Sequence, residues 1–361
     1  MNNKNKKIVY ILGTKAQFIK SKHVLINLMK LGVEIVILDT GQHKELTEKE
    51  LANSDLIYEY HTLSENNKNI STIPGMIYWF LKILFNRKKI LLFKDVCFSL
   101  VHGDTVSTLI GLIVSKQNKS KVIHLESGYK SNNLFKPFPE EIIRGIVSRF
   151  SEVLVVDGNT QYSNVLKYKN KKKIIEIQRN TVIDSITEIK RDINLDIVDK
   201  SLLVTVHRTE NIYNKYRLNT FINLLLEISN NKYFDRIEWF CHDITKNALV
   251  KNNLIEKLEN QGIFLYDLIP HEDFLNRLLN SKAIITDGGS IAEECSILGL
   301  NTIIWRDVVE NTKYLNENVI LSKYNLDIIY NFFQNLPDKG NPIKDTYSPS
   351  KELAKIIYSL I

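Results

Sequence analysis

The sequence predicts an α/β protein made of two doubly wound, Rossmann-like halves that face a cleft. Short apolar runs alternate with helical patterns along most of the chain, which is typical of parallel sheets covered by helices on both faces. A length of 361 residues fits two domains of ordinary size. Several apolar runs end in polar clusters rich in glycine and acidic residues, and ligands bind at that edge of an open α/β sheet.

The first half contains six apolar runs that we interpret as buried parallel strands. They are Lys7–Leu12, Val33–Leu38, Asp95–Val101, Lys121–Leu125, Glu152–Val156 and Lys173–Ile177. Helical patterns separate most of them: Lys15 to Leu31, Ile73–Phe85, Thr105–Ser115, residues 139–149 and a segment ending near Tyr168. The segment from Leu51 to Ile70 is polar and gives only weak signals, so no element is predicted there.

A second alternating series follows a predicted linker at Gln178–Asp199. Its expected strands are Leu202–Val206, Ile237–Cys241, Ile263–Tyr266, Ala283–Thr286 and Thr302–Trp305. Its expected helices are Arg217–Ser229, His271–Leu279 and Ile291–Leu298. We therefore predict one domain over residues 1–178 and a second over 179–345. A last helix, Ser350–Leu360 within residues 346–361, is expected to cross back to the first domain.

The basic charge fits an ordinary solvated surface, and an anionic small-molecule ligand is the alternative. The net charge is +7 and the isoelectric point about 9.0, but the lysines are dispersed and form no basic arm, which argues against nucleic acid. Three scattered cysteines are too few for a disulfide framework or a zinc site, and fit the cytoplasm. The apolar segment Ile73–Phe85 is too short to span a bilayer, and the first apolar run is too short for a secretory signal. No metal, cofactor or stable membrane insertion is expected.

Three acidic residues are the predicted catalytic groups of the first half. Asp104 follows one strand, Glu126 follows the next, and Glu140 begins a helix after a proline-rich loop. Each alone could be a solvated carboxylate or a helix cap. Three at successive element ends indicate a shared site, because crowded carboxylates raise one another's pKa toward the range that general acid–base catalysis near neutral pH needs.

The second half carries a predicted diphosphate site. Gly288, Gly289 and Ser290 lie between a strand and a helix, where glycines let a ligand approach the backbone and free N–H groups attract anions. Glu294 lies one helical turn after Ser290 and could accept hydrogen bonds from ribose hydroxyls. The same glycines could instead serve only a tight turn. His207 ends another strand, where a histidine is either structural or a contact to phosphate.

Taken together, the motifs resemble those of the non-hydrolysing UDP-N-acetylglucosamine 2-epimerases, which share the GT-B fold with many glycosyltransferases. The matching segments span both halves in order: Gly13-Thr14, Thr40-Gly41-Gln42-His43, His102-Gly103-Asp104-Thr105, His124-Leu125-Glu126-Ser127-Gly128, Pro137-Phe138-Pro139-Glu140-Glu141 with Arg144, Asn180-Thr181-Val182-Ile183-Asp184, Val204-Thr205-Val206-His207-Arg208 with Glu210-Asn211, Thr286-Asp287-Gly288 with Glu293-Glu294, and Arg306-Asp307 with Glu310.

The resemblance implies inversion at C2 of a UDP-linked N-acetyl sugar, UDP-GlcNAc to UDP-ManNAc or a related pair, for surface polysaccharide synthesis. UDP would leave C1 as the C2 proton is removed, giving a 2-acetamidoglucal, and would add back after reprotonation. The resemblance implies that Asp104, Glu126 and Glu140 are the acid–base groups and that the protein is a homodimer. It assigns the remaining contacts to these residues: His207 and Arg144 for diphosphate and sugar, and Lys15, Lys20, Gly288, Gly289, Ser290 and Glu294 for UDP.

The chain departs from the family pattern at three sites expected to touch substrate. Lys15-Ala16-Gln17 replaces Arg-Pro-Glu, and lysine cannot reproduce a bidentate arginine clamp. Gly288-Gly289-Ser290 replaces Ser-Gly-Gly, and Tyr129-Lys130-Ser131 replaces Leu-Arg-Thr. Three alternatives therefore stay open: a GT-B glycosyltransferase with a UDP-sugar donor, a hydrolysing 2-epimerase, and a non-catalytic UDP-sugar-binding protein.

Overall fold

The structure, a computed structural model, describes residues 6–64, 73–85, 96–130, 139–189, 200–309, 312–340 and 347–361. The chain divides into two compact units. The first comprises Met1–Ser185 and Thr346–Ile361, and the second comprises Ile186–Asp345. The division that we predicted at residues 178 and 179 lies inside the first of these units.

Unit 1 contains a parallel sheet of seven strands in the order β3-β2-β1-β4-β5-β6-β7. The strands are β1 Lys7–Leu12, β2 Glu34–Asp39, β3 Glu59–Thr62, β4 Phe98–His102, β5 Lys121–Leu125, β6 Val153–Val156 and β7 Lys173–Glu176. The helices of this unit are α1 Lys15–Lys30, α2 Lys44–Ala52, α3 Ile73–Phe85, α4 Val106–Gln117, α5 Glu140–Phe150 and α6 Asn159–Val165, and a 3₁₀ turn covers Leu166–Tyr168. Helix α7, Val182–Ile189, begins in unit 1 and ends in unit 2.

Unit 2 contains a parallel sheet of six strands in the order β10-β9-β8-β11-β12-β13. The strands are β8 Ser201–Thr205, β9 Arg236–Cys241, β10 Ile263–Asp267, β11 Ala283–Thr286, β12 Thr302–Ile304 and β13 Val319–Leu321. The helices of this unit are α8 Thr209–Ile212, α9 Lys215–Asn230, α10 Asp243–Lys251, α11 Ile255–Glu259, α12 His271–Asn280, α13 Gly289–Leu298 and α14 Leu326–Gln334. The last helix of the chain, α15 Pro349–Tyr358, belongs to unit 1.

The central strands are buried on both faces, as their near-continuous apolar sequences predict. In β1 every residue from Ile8 to Leu12 is at most 2% exposed, and β8 is equally buried. Helices pack on both faces of each sheet, so the side chains that point to either face of a central strand are removed from water. The predicted fold class, two doubly wound α/β halves, is confirmed.

The chain ends in unit 1. Helix α15 packs against α1, and Leu353, Ala354 and Ile357 are buried in the same core as β1. The Ser350 N–H donates to the Asp184 carboxylate at 2.8 Å, and the Lys6 ammonium donates to the Tyr358 carbonyl at 2.9 Å. These contacts attach the last helix to elements from the start of the chain.

Several elements were missed or misplaced. The segment 51–70, predicted to contain no element, includes the edge strand β3, which pairs with β2 on one side and is therefore less apolar. Helix α7 lies inside the predicted linker, where the Asn180 side chain accepts from the Val182 N–H at 3.0 Å and starts the helix. Helices α2, α10, α11 and α14 are short or mostly polar and were not predicted.

In the part of the chain that the structure describes, no helix is both long enough and apolar enough to cross a bilayer.

Candidate functional site

The sheet of unit 1 has its topological switch point between β1 and β4, the two central strands whose connections run in opposite directions. The turns after these strands pack tightly. A Cβ atom on Gly13 would lie 2.1 Å from the Ser107 side chain, so this position requires glycine. The Gln17 amide donates to the His102 carbonyl at 2.7 Å and to the Thr105 hydroxyl at 3.0 Å, which joins α1 to the turn after β4.

Glu126 follows β5 directly and lies beside this switch point. Its backbone has φ of +59°, a left-handed conformation that is uncommon outside glycine. The carboxylate accepts hydrogen bonds from the Lys20 ammonium and from Asn180 Nδ2, the latter at 2.9 Å. A Cβ on Gly103 would lie 3.6 Å from Glu126 Oε2, so Glu126 reaches the loop that carries Asp104.

The charge states of Glu126 and His102 follow from their burial and their neighbours. Burial by itself would raise the pKa of Glu126, but the Lys20 ammonium and His102 lower that pKa to about 2. Burial lowers the pKa of His102 to about 4, although Glu126 opposes that shift. The cluster therefore holds an ionised Glu126 beside a neutral imidazole near neutral pH. Our expectation that crowding raises the pKa is wrong for Glu126, because a lysine is closer to it than the other acids are.

Asp104 is held by an arginine from another element. Arg144 on α5 forms ion pairs with Asp104 and with Glu141, one helical turn away. Glu140 precedes Glu141 as the first residue of α5. The His124 ring nitrogen Nε2 lies 2.7 Å from the Gly103 carbonyl and fixes the loop before Asp104.

Lys15 and Lys20, which the resemblance assigns to UDP, make different contacts. Lys20 is buried and pairs with Glu126. Lys15 pairs with Glu50 on α2 at 3.0 Å. The structure thus places Asp104, Glu126, Lys20 and Arg144 around the ends of β4 and β5, whereas Lys15 lies at the start of α1 and is bound to α2.

In unit 2 the switch point lies between β8 and β11. Asp287 follows β11, is completely buried and accepts the N–H groups of His207 at 3.0 Å and Arg208 at 2.8 Å. Its other donor is Asn211 Nδ2 at 2.8 Å. Burial opposes ionisation of Asp287, but His207 and these donors lower its pKa below the usual range. Asp287 therefore ties together the two loops that border this edge of the sheet.

The predicted diphosphate turn leaves open space at its second glycine. Helix α13 begins at Gly289. Gly288 has φ of −85°, and a Cβ on Gly289 would meet no described atom closer than the Tyr314 hydroxyl at 3.9 Å. The fold of unit 2 itself therefore does not require glycine at position 289, which favours a ligand over a tight turn as the reason for it. Ser290 is partly exposed in the first turn of α13.

Glu294 on α13 and His207 complete the predicted residues of unit 2. Glu294 is 3% exposed and its Oε1 lies 3.1 Å from His271 Nε2. Its Oε2 is buried with no hydrogen-bond partner among the described residues, so it can accept a hydroxyl. The His207 ring stacks on the His242 ring with centroids 4.2 Å apart, and its Nδ1 lies 3.2 Å from Asp287.

The sequence did not single out several residues that position these groups. Asn180 bonds to Glu126, and Asn211 bonds to Asp287. Both belong to motifs that carried the resemblance, which was the only signal for them. Gln17 appeared in the sequence only as a departure from the family pattern, and Asp157 had no signal at all. Among the described residues, no group of three or more histidine, cysteine or acidic side chains is arranged to hold a metal ion.

Comparisons with known proteins show which family the sequence is similar to. The profile of the UDP-N-acetylglucosamine 2-epimerase family matches residues 28–359. The UDP-N-acetylglucosamine 2-epimerase of Methanocaldococcus jannaschii is 29% identical over 318 residues, 84% of each chain. The enzyme of the same name from Campylobacter jejuni is 27% identical, covering 87% of this chain and 85% of its own.

Solved structures give the same result. The M. jannaschii UDP-GlcNAc 2-epimerase, crystallised with UDP-GlcNAc and UDP, superimposes with a TM-score of 0.84 at 26% identity, over 98% of this chain and 99% of that one. The Neisseria meningitidis enzyme bound to UDP-GlcNAc, at 22% identity, has a TM-score of 0.80 and shares the fold. The predicted GT-B fold is thereby confirmed. The family profile spans most of the protein, and so the chain belongs to the UDP-N-acetylglucosamine 2-epimerase family.

Proposed function

We propose that the protein is a non-hydrolysing UDP-N-acetylglucosamine 2-epimerase, an isomerase that interconverts UDP-GlcNAc and UDP-ManNAc. The observation that carries this proposal is the partly buried Glu126 carboxylate, held by Lys20 and Asn180 at the switch point of unit 1 in a member of this family. A glycosyltransferase does not need such a group beside Asp104 and Glu140.

Inversion at C2 requires a base on one face of the sugar and an acid on the other. In our proposal Asp104, Glu126 and Glu140 supply these groups. An ionised carboxylate such as Glu126 can accept a proton, and its contact with Lys20 keeps it ionised. Proton transfer by positioned groups contributes roughly 10²- to 10⁴-fold to the rate. Holding the glucal and UDP together in the site during the reaction would supply a further part of the rate enhancement, by proximity.

UDP would be held mainly by unit 2. The N–H groups at the start of α13 and the space at Gly289 suit the diphosphate. The buried Glu294 Oε2 suits a ribose hydroxyl, and His207, fixed by Asp287 and His242, suits a phosphate oxygen. Lys15, Lys20 and Arg144 would add positive charge from unit 1. We further infer a cytoplasmic homodimer that supplies N-acetylmannosamine units for surface polysaccharide.

Incubation of the purified protein with UDP-GlcNAc, followed by proton NMR of the products, tests the proposal. We expect UDP-ManNAc to accumulate to an equilibrium mixture without net release of UDP. Free N-acetylmannosamine with stoichiometric UDP would identify a hydrolysing epimerase. UDP release only after addition of an acceptor would identify a glycosyltransferase. Tight binding of UDP without any product would identify a binding protein.

A further inference from the structure

A second buried carboxyl group lies next to Glu126. Asp157 directly follows β6 and is 8% exposed. Its Oδ2 accepts hydrogen bonds from the Tyr129 hydroxyl and from Asn180 Nδ2, both at 2.8 Å. The same Asn180 nitrogen donates to Glu126 at 2.9 Å. One amide group therefore bridges two carboxyl groups.

The orientation of this amide is determined by the backbone. The Val182 N–H donates to Asn180 Oδ1 at 3.0 Å at the start of α7, so the oxygen side of the amide is occupied. The two hydrogens on Nδ2 must then point to Glu126 and Asp157. A shift in the position of Asp157 is passed to Glu126 through this amide group.

The other oxygen of Asp157 lacks a partner. Oδ1 is buried and makes no hydrogen bond with any residue that the structure describes. Asp157 lines a cavity of about 10 Å³, together with His102, Glu126, Asn180, Thr181 and Leu353. This volume is close to the lower limit for a single water molecule, and polar groups line it, which is the condition for a buried water to be retained.

The contacts favour one proton on this pair of acids, held by Asp157 while Glu126 is ionised. Lys20 is the cation that pairs with Glu126, and an ionised Asp157 would place a second buried negative charge beside that ion pair, which is costly. Burial, followed by the negative charge of Glu126, raises the pKa of Asp157, whereas Tyr129, Asn180 and Lys20 act in the opposite direction. Neutral His102 adds no charge. A proton on Oδ1 would be donated to water in the cavity.

We propose that Asp157 is a positioning residue for Glu126 that retains a proton on Oδ1, with Tyr129 and Asn180 as fixed donors to Oδ2 and one water in the cavity as the acceptor. This inference rests on the proposed function for its kinetic consequence. Its structural consequence, a protonated buried aspartate near neutral pH, does not depend on that function.

Infrared spectroscopy of the whole protein in D₂O near neutral pH tests the proton directly. We expect a carbonyl stretching band of a protonated carboxyl group that disappears in Asp157→Asn. Asp39→Asn is the matched control, because Asp39 is also buried, also accepts from a tyrosine, Tyr60, and also has a raised pKa. The band should remain in that variant. Absence of the band from the wild type, or its persistence in Asp157→Asn, overturns the proposal.

Kinetics test the positioning role. The Asp157→Asn side chain reproduces a protonated aspartate, with an oxygen for both donors and an N–H for the cavity, so kcat should stay within about threefold. Asp157→Leu removes the acceptor and should lower kcat roughly 10- to 100-fold, the cost of misplacing a catalytic group. KM for UDP-GlcNAc should change less than about twofold, because Asp157 contacts Glu126 only through Asn180.

Tyr129→Phe removes one hydrogen-bond donor to Asp157 and keeps the size of the aromatic side chain. It therefore tests the positioning role even if Asp157→Leu fails to fold. It should lower kcat by a smaller factor, with KM unchanged. Unchanged kcat in both Asp157→Leu and Tyr129→Phe, or a loss in Asp157→Asn as large as in Asp157→Leu, would contradict the positioning role. If the wild type does not epimerise UDP-GlcNAc, the proposed function fails, whereas the infrared result still decides where the proton lies.

Discussion

Glu126 shows how one residue obtains its charge state from partners distant in the sequence. Lys20 lies on α1, Asn180 precedes α7, and both bind the same carboxylate. The left-handed backbone of Glu126 aims its side chain at them and costs about 1 kcal/mol or more. The ion pair with Lys20 and the hydrogen bond from Asn180 offset that cost, so the folded protein keeps this conformation and with it the position of the carboxylate.

The lowered pKa of Glu126 predicts a specific acid sensitivity. The group has a pKa of about 2 in the folded protein against 4.5 ordinarily, so it contributes stability that is complete above about pH 5 and is lost as the pH falls toward 2. The contribution is at most about 3 kcal/mol. The unfolding free energy of the wild type, measured by urea titration between pH 7 and pH 3, should fall more steeply than that of Glu126→Gln. Parallel pH profiles would contradict this assignment.

The positions of the catalytic candidates could be predicted, but their interactions could not. Strand ends followed by acidic residues indicated Asp104 and Glu126 because parallel strands present their carboxyl ends at one edge. The pairing of Lys20 with Glu126 spans 106 residues, and no local pattern contains it. For that reason the direction of the Glu126 pKa shift was predicted wrongly.

At the scale of elements, helix α13 shows why a glycine pair can be functional. Gly289 opens the helix, and a side chain there would have room in the described structure. We propose that the glycine serves the close approach of a ligand. In our account that is the diphosphate of the substrate.

Gly289→Ala is expected to raise KM for UDP-GlcNAc at least about tenfold, equivalent to about 1.4 kcal/mol of lost binding, while the unfolding free energy stays within about 1 kcal/mol. Gly145→Ala is the control. Gly145 is exposed within α5 and has no neighbour within 4 Å of an added Cβ, so alanine should stabilise that helix by about 0.5–1 kcal/mol and leave KM unchanged. Unchanged KM in Gly289→Ala, or destabilisation of the fold, would argue against a diphosphate at this turn.

Elements with a continuous apolar core were predicted with nearly correct bounds. Strand β1 has the predicted bounds, because its burial on both faces dictates its apolar composition. Helix α3 also has the predicted bounds, although Ile77, Tyr78 and other apolar side chains of this helix are exposed. Strand β3 is only partly buried at the sheet edge, so its polar sequence gave no signal. Helix α7 was mistaken for a linker, since its amino-terminal turn is created by the Asn180 side chain rather than by a hydrophobic pattern.

At the scale of the whole molecule, the chain returns to the unit in which it began. Helix α15 fills a hydrophobic face of unit 1 with Leu353 and Ile357, which are at most 1% exposed. Unit 1 therefore depends on residues that follow unit 2 in the sequence. Its stability should be sensitive to changes near the carboxyl terminus.

Leu353→Ala is expected to destabilise unit 1 by about 2–5 kcal/mol, the usual cost of a buried leucine truncation. Hydrogen exchange should show the loss of protection in α1 and β1, with unit 2 unaffected. Leu225→Ala, a fully buried leucine of unit 2, is the reciprocal control and should reduce protection in β8 and α9. Equal loss of protection in both units from either change would contradict separate cores.

The central claim is that carboxylates of unit 1 exchange the C2 proton of a UDP-linked N-acetyl sugar. Its most direct measurement is deuterium incorporation at C2 when the protein and UDP-GlcNAc are incubated in D₂O, followed by NMR or mass spectrometry. We predict full exchange at C2 in recovered UDP-GlcNAc and UDP-ManNAc, with a loss of about 100-fold or more in rate for Asp104→Asn and Glu126→Gln. Retention of the C2 proton by folded wild-type protein that binds UDP-GlcNAc would contradict the account.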